Sequence, residues 1–148
     1  MTMQTISQQN KIIIGLFRAY HDISLIGDQL AAEHGLTTSK WKVLGAIRLE
    51  NTALTVPHIA RLMGLTRQAV QRTIDELLKL EYIQQLHNPA HKKSSLFQLT
   101  SLGEEAFDAI NIEWNKMATT IFQDLNPHDI DITVNVLTQI ITKSEAMK

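Results

Sequence analysis

Apolar residues recur every three or four positions over most of the chain, a spacing typical of amphipathic helices. The first such segment runs from about Ser7 to His34, and Gly35 ends it. Its apolar stripe consists of Ile13, Leu16, Phe17, Tyr20, Ile23, Ile26 and Leu30. A second helix is predicted up to about Leu49, capped by Thr37 or Thr38. Its buried stripe is predicted to hold Trp41, Leu44 and Ile47, with Val43 as a further candidate.

The next two helices are short and close together. Thr55 can cap a helix over 56–63, in which Pro57 lies in the first turn, and Gly64 ends it. Thr66 can cap the following helix at once. The inner side of that helix reads Val70, Ile74, Leu77 and Leu78, and its outer side reads Arg67, Gln68, Gln71, Arg72 and Asp75. Two helices joined by a short turn that contains glycine match the helix-turn-helix pattern.

After Leu80 the period of the pattern changes to two. Residues 82–86 and 95–99 are predicted strands, and the polar segment between them makes a hairpin with a basic tip. Two more helices follow, one from Thr100 or Ser101 and one after the Asn126-Pro127 cap. Their stripes are Phe107, Ile110, Trp114, Met117, Ile121 and Phe122, and then Ile130, Val134, Leu137 and Ile141. The predicted fold class is mainly α with a small β-hairpin wing, a winged helix-turn-helix flanked by further helices.

Charge is unevenly distributed along the 148 residues. The whole chain has 14 Lys and Arg against 15 Asp and Glu, but residues 37–99 hold nine basic and four acidic residues, a net of +5, and the remainder has a net of −6. A basic middle between acidic ends is typical of a polyanion-binding module on a separate scaffold, although chance clustering of surface charge is an alternative.

Composition excludes several other classes of protein. With 44% apolar residues and almost no net charge, the chain is expected to fold. It has no cysteine, so it forms no disulfide or thiolate metal site. Its apolar runs are far shorter than a membrane-spanning helix, and no secretory signal is recognisable. We therefore expect a cytoplasmic protein.

Three segments resemble the MarR family of bacterial transcription regulators. Residues 36–44 resemble that family's second helix, residues 54–72 its helix-turn-helix, and residues 96–103 its strand followed by Leu-Thr-x-x-Gly. The resemblance implies a homodimer whose recognition helices enter the major groove of DNA and whose wings lie near the minor groove. The domains expected are an N-terminal dimerisation helix (1–35), a winged helix-turn-helix (36–100) and C-terminal dimerisation helices (101–148).

Dimerisation is also expected from the residues themselves. The first and last two helices carry more apolar side chains than one small lobe could cover, among them Ile12, Ile13, Ile14, Ile130, Ile132, Val134, Val136, Ile140 and Ile141. Burial by an identical partner is the commonest way to cover such a surface.

The candidate DNA-binding residues form three groups. Arg67, Gln68, Gln71 and Arg72 have side chains suited to base edges, and Thr66 could donate to a phosphate at the same helix end. Thr38, Ser39 and Lys40 are candidates for phosphate contacts at the start of the second helix, although an ordinary polar surface explains these residues equally well. At the wing tip the resembled family usually has Asp-x-Arg or Asp-Arg-Arg, whereas this chain has His91-Lys92-Lys93. Lys92 and Lys93 are therefore expected to contact phosphates rather than to read groove shape.

No enzymatic or metal chemistry is predicted. None of the six histidines forms an i, i+4 pair with a third ligand nearby, and neither a Ser-His-acid order nor a phosphate-binding glycine loop is present. No cofactor is expected. The resemblance implies a cavity for a small aromatic effector, which could be lined by Phe17, Tyr20, Trp41, Trp114 and Met117, although such residues are more often core.

The expected function is that of a homodimeric regulator that binds double-stranded DNA in a sequence-specific manner, as a repressor whose affinity falls when a small ligand binds. The alternative is a nucleoid-like or protein-interaction module that uses the winged helix without sequence preference.

Overall fold

The computed structural model describes residues 6–148, and it contains six helices and one hairpin in that part of the chain. The helices are α1 (Gln8–Ala32), α2 (Thr38–Glu50), α3 (Val56–Met63), α4 (Arg67–Lys79), α5 (Ser101–Phe122) and α6 (Pro127–Glu145). The strands are β1 (Ile83–Leu86) and β2 (Leu96–Leu99), paired antiparallel with Ile83 opposite Leu99. This order confirms the predicted fold class, and both strands begin one residue later than predicted.

The helix ends follow the predicted signals. Thr37 caps α2, since its hydroxyl accepts the Lys40 N–H at 3.4 Å. Thr55 and Thr66 cap α3 and α4 in the same way, and the Asn126 Oδ1 caps α6 by accepting the His128 N–H at 2.8 Å. Gly64 ends α3 with φ of 63°, a left-handed conformation that costs glycine little.

The core lies in the winged helix and in the helices packed on it. Val43, Leu44 and Ile47 of α2 are buried against Ile59 of α3 and Ile74 of α4. Phe97 of β2 joins this core, and its backbone pairs with Leu54 ahead of α3. The wing is therefore fixed to the helix-turn-helix through both side chains and backbone.

The chain divides into two compact units, one that ends at Trp114 and one formed by Asn115–Lys148. Helix α5 contributes residues to both. The predicted partition into 1–35, 36–100 and 101–148 concerns dimerisation and DNA binding, and it stays a prediction.

The apolar stripe predicted for α1 differs from the core that this helix contributes. Gly27 and Ala31 are its buried residues, whereas Ile13, Phe17 and Tyr20 of the stripe are exposed in the single chain. The other members of the stripe, Leu16, Ile23, Ile26 and Leu30, are partly buried, so the single chain leaves mainly the N-terminal part of this face open to solvent.

Candidate nucleic-acid interface

Helices α3 and α4 form a rigid pair with one polar face. The Leu65 N–H donates to Ala60 O at 3.0 Å, and Thr66 Oγ1 accepts the Ala69 N–H at 3.1 Å, so the turn between the helices is hydrogen-bonded at both ends. Val70, Ile74 and Leu77 are buried, and this burial fixes the rotation of α4. The opposite face exposes the predicted side chains Arg67, Gln68, Gln71 and Arg72.

A groove of about 480 Å³ separates α4 from the wing. Arg67, Gln68 and Gln71 contribute to its α4 side, and Lys93 contributes to its wing side. Its other lining residues are Val56, Pro57, Asp75, Leu78, Gln85, Ser94, Ser95 and Phe97. We call it the α4–wing groove. Thr66, Arg72 and Lys92 are exposed but lie outside this lining.

The groove presents amide, hydroxyl and guanidinium groups, which are donors and acceptors of the kinds that meet base edges and phosphates in protein–DNA complexes. The Gln71 Nε2 donates to Asp75 Oδ1 at 2.9 Å, one helical turn away. This bond orients the Gln71 amide.

Hydrogen bonds around Asn88 order the wing tip. Its Nδ2 donates to Ser94 O at 2.8 Å, and its Oδ1 accepts the Ala90 N–H at 3.1 Å. Nearby, Gln85 Nε2 donates to Ser95 Oγ at 2.7 Å across the hairpin. An asparagine amide thus links the two sides of a tip that has no wing aspartate, and Lys92 and Lys93 are exposed beside it.

The start of α2 differs from the prediction. Thr38 is 6% exposed, and its hydroxyl donates to Ser24 O of α1 at 2.9 Å. Its N–H donates to Asp28 Oδ1 at 2.7 Å. Thr38 is therefore not accessible to a phosphate, contrary to the prediction, because α1 covers it and supplies a carboxylate to this helix end.

Its neighbours Ser39 and Lys40 have different surroundings. Ser39 is exposed. The Lys40 ammonium lies 2.7 Å from Glu76 Oε2 of α4. The hydrogen bond and the charge of Lys40 lower the pKa of the Glu76 carboxyl, and the charges of Lys79 and Arg72 lower it further.

An aromatic cluster lies behind α2. The Trp41 ring is 5.8 Å from that of Phe107 and 4.9 Å from that of Trp114, measured between centroids. Trp41 is 9% exposed, and no acceptor within residues 6–148 meets its buried indole N–H. The sequence had singled out Trp41 and Trp114 as candidates for an effector cavity or for core. Trp41 is part of the core, and Trp114 is partly buried against it.

Neither a metal cluster nor a membrane-spanning helix is found within residues 6–148. No three His, Cys, Asp or Glu side chains in this range are placed to hold a metal ion. None of the helices described combines the length and apolar character needed to span a bilayer.

Gln85, Ser94 and Ser95 line the α4–wing groove but were not among the residues predicted from the sequence. Strand alternation does not identify Gln85, because it places this residue on the same face as the buried Ile83. Ser94 and Ser95 carry no local signal either, since their place beside α4 depends on how the hairpin folds back.

Two of the known proteins that are similar in sequence span most of the chain. An uncharacterized protein of Mycobacterium tuberculosis is 32% identical over 120 residues, which make up 81% of this chain and 82% of that protein. The transcriptional activatory protein BadR of Rhodopseudomonas palustris is 21% identical over 135 residues, 89% of this chain and 77% of BadR.

Solved structures share the fold. A complex of MepR from Staphylococcus aureus with DNA matches with a TM-score of 0.78 and 20% identity, over 86% of this chain and 93% of that one. MarR of Staphylococcus aureus in complex with salicylate and kanamycin matches with a TM-score of 0.84 and 15% identity, over 95% of this chain and 94% of that one.

The sequence model of the MarR family matches residues 34–94, a range that includes α2, the helix-turn-helix, β1 and the wing tip. This family and this fold are those of transcription regulators rather than of enzymes. The family match and the shared fold together confirm the resemblance found in the sequence: the chain belongs to the MarR family of winged-helix transcription regulators.

Proposed function

We propose that this protein is a homodimeric repressor that binds double-stranded DNA in a sequence-specific manner and releases it when a small aromatic ligand binds. The observation that carries the proposal is the α4–wing groove, in which side chains suited to base edges on α4 face a basic wing. The complex of MepR with DNA, a protein of the same fold, supports it.

The proposed contacts divide by chemistry. Arg67, Gln68, Gln71 and Arg72 contact base edges or the adjacent backbone from α4, and Thr66 donates to a phosphate at the start of that helix. Lys92 and Lys93 contact phosphates from the wing tip, and Ser39 does so from α2. Phosphate contacts fix orientation and supply most of the salt-dependent affinity, whereas base contacts supply the preference for sequence.

The exposed apolar side chains at the two ends of the chain support a homodimer. Phe17 of α1 is 71% exposed, and Ile12, Ile13 and Ile14 on the same helix are also exposed. Helix α6, which is described over its whole length, has no buried residue. A helix of 19 residues with an apolar stripe gains its stability mainly from packing. A second copy that covers these faces would bring two recognition helices to half-sites about 34–36 Å apart.

The proposed ligand response rests on the aromatic cluster. The buried Trp41 indole N–H finds no acceptor among residues 6–148, and a carboxylate or carbonyl oxygen of an aromatic ligand would satisfy it. MarR of Staphylococcus aureus, a protein of the same fold, has been solved with salicylate. The direction of regulation is proposed from the loss of contacts that follows when ligand binding changes the spacing of the two recognition helices.

Selection of bound sequences from a random DNA pool, followed by competition with unselected DNA, tests the DNA-binding part. A sequence-specific regulator is expected to prefer the selected fragment by about 10³-fold or more. A preference of only a few-fold would instead identify a nucleoid-like module without sequence preference. A reporter gene behind the selected site then distinguishes repression from the activation implied by the name of BadR.

A further inference from the structure

The first turn of α2 is held by helices on both sides. Thr38 is hydrogen-bonded to Ser24 and Asp28 of α1. The two helices approach so closely here that a Cβ at Gly27 would collide with the Thr38 hydroxyl. The backbone that carries Lys40 is therefore anchored to α1, and this anchoring limits where the lysine side chain can reach.

From this position Lys40 reaches the recognition helix. Its ammonium lies 2.7 Å from Glu76 Oε2. Glu76 is four residues after Arg72 on α4, so the two side chains share a helix face and are spaced for an i, i+4 ion pair. Arg72 is near enough to lower the pKa of Glu76, yet the ion pair within residues 6–148 that Glu76 forms is with Lys40.

We propose that Lys40 is a positioning residue: it holds the Glu76 carboxylate and so keeps the Arg72 guanidinium available to DNA. Without the ammonium, Glu76 pairs with Arg72 along α4, and the guanidinium is drawn towards the C-terminal end of the helix. This inference rests on the proposed function and assigns Lys40 a role other than the phosphate contact predicted from the sequence.

The competition is between two surface pairings of similar strength, so the expected effect is moderate. An exposed ion pair of this kind changes an equilibrium by at most about fivefold, which sets the limit on the change in affinity per subunit. Since a dimer presents two copies of Arg72 to its operator, a loss of up to about 25-fold is expected for Lys40→Met, which keeps the apolar stem of the lysine and removes its charge.

A mutant cycle tests the inference on the full-length protein with operator DNA. Lys40→Met alone should weaken operator binding, whereas in the Glu76→Gln background it should change affinity by less than about twofold, because no carboxylate remains to capture Arg72. In the Arg72→Ala background it should likewise have little effect. Lys42→Met, which removes a charge from the same helix at a residue stacked over Tyr20, is the matched control and should have the same effect in all backgrounds.

The same mutant cycle can also show that Lys40 contacts DNA directly. If Lys40→Met costs the same factor in all three backgrounds, and lowers the salt slope by about 0.9 per subunit, Lys40 contacts a phosphate directly and the inference is wrong.

A measurement without DNA separates failure of this inference from failure of the proposed function. The guanidinium NMR signals of Arg72 in the free protein should shift in K40M and return towards their original positions in K40M/E76Q. Unchanged Arg72 signals in K40M would overturn the inference even if the wild-type protein prefers an operator. Conversely, wild-type protein without sequence preference would remove the proposed function, while the NMR result would still decide whether Lys40 controls the pairing of Arg72.

Discussion

Helices α4 and α6 begin alike but differ in burial. Both have a polar cap, Thr66 for α4 and Asn126 for α6, and both carry apolar residues at helical spacing. Helix α4 buries three of these residues completely or almost so, whereas α6 buries none. In the stripe of α6, Val134 is 58% exposed.

This difference distinguishes an apolar surface that the chain buries by itself from one that it leaves exposed. The winged helix completes its own core, so the rotation of α4 is determined within one chain and its polar face is directed outwards. The apolar stripe of α6 needs cover from outside its own helix, and the homodimer proposed above would provide that cover. The stability of the winged helix and the stability of the dimer should therefore respond to different mutations.

Removal of core volume from α4 should have the largest effect. Ile74 is fully buried, so Ile74→Ala is expected to lower the free energy of unfolding by about 2–5 kcal/mol. Chemical denaturation at several protein concentrations measures it. The loss should persist at every concentration, whereas the loss from Ile132→Ala in α6 should disappear where the protein is monomeric. Equal losses for both variants at low concentration would contradict the distinction between the two helices.

Charges placed on the stripe of α6 should weaken the dimer. Val134 and Ile141 are seven residues apart on one face, and the pair Val134→Asp and Ile141→Asp is expected to raise the dimer dissociation constant at least about tenfold, because a buried carboxylate must be desolvated. Sedimentation measures the constant. Gln139→Asp, on another face of α6, is the control. A double variant that remains dimeric at nanomolar concentration would show that this face is not in the interface.

The outward face of α4 should control the choice of sequence. Gln71→Ala is expected to relax the preference at one base position in each half-site by about 1–3 kcal/mol, and Arg72→Ala should cost at least that much in affinity. Binding to a panel of single-base operator variants measures both. Gln84→Ala on β1 removes an exposed glutamine outside the groove lining and should leave the preference unchanged. Wild-type binding by both α4 variants would mean that α4 is not the reading helix.

The wing should affect all DNA sequences alike. Replacement of Lys92 and Lys93 by alanine is expected to weaken binding to operator and random DNA together, and to lower the salt slope by up to about 0.9 per lost phosphate contact in each subunit. Titrations at several salt concentrations measure the slope. Loss of the same two charges from Lys143 and Lys148 controls for net charge. A changed base preference with an unchanged slope would instead mean that the wing lysines read sequence.

The smallest effect expected is a change of folding stability at acidic pH, which arises at the contact between α2 and α4. Lys40 across the contact, together with Lys79 and Arg72 on α4, lowers the pKa of Glu76 in the folded state, so folding favours the ionised carboxylate. This stabilisation is fully present above the pKa of Glu76 in the unfolded chain and is lost as pH falls through its lower value in the folded chain. The stability difference between wild type and Glu76→Gln should therefore decrease as pH falls from the pKa of Glu76 in the unfolded chain through its lower value in the folded chain. A difference that stays constant there would mean that Glu76 gains nothing from its cationic neighbours.

Much of the fold and part of the candidate interface could be predicted from the sequence, because both depend on local signals. The caps at Thr55 and Thr66 and the left-handed turn at Gly64 are short-range features, and they lie where the sequence predicted them. Once Val70 and Ile74 are assigned to the inner face of α4, helical geometry places Gln68 and the other candidates on the outer face.

Contacts between distant segments were decided by the tertiary structure. The burial of Thr38, the ion pair of Lys40 with Glu76, and the place of Ser94 and Ser95 beside α4 each join elements whose packing no local signal specifies. Periodicity states which residues share a helix face but not what covers that face. The surplus of apolar residues already predicted that the terminal helices need a partner, but only the packed chain shows that three residues of α4 are buried within one chain and that α6 has no buried residue. Burial depends on which neighbouring surfaces fit together and exclude water.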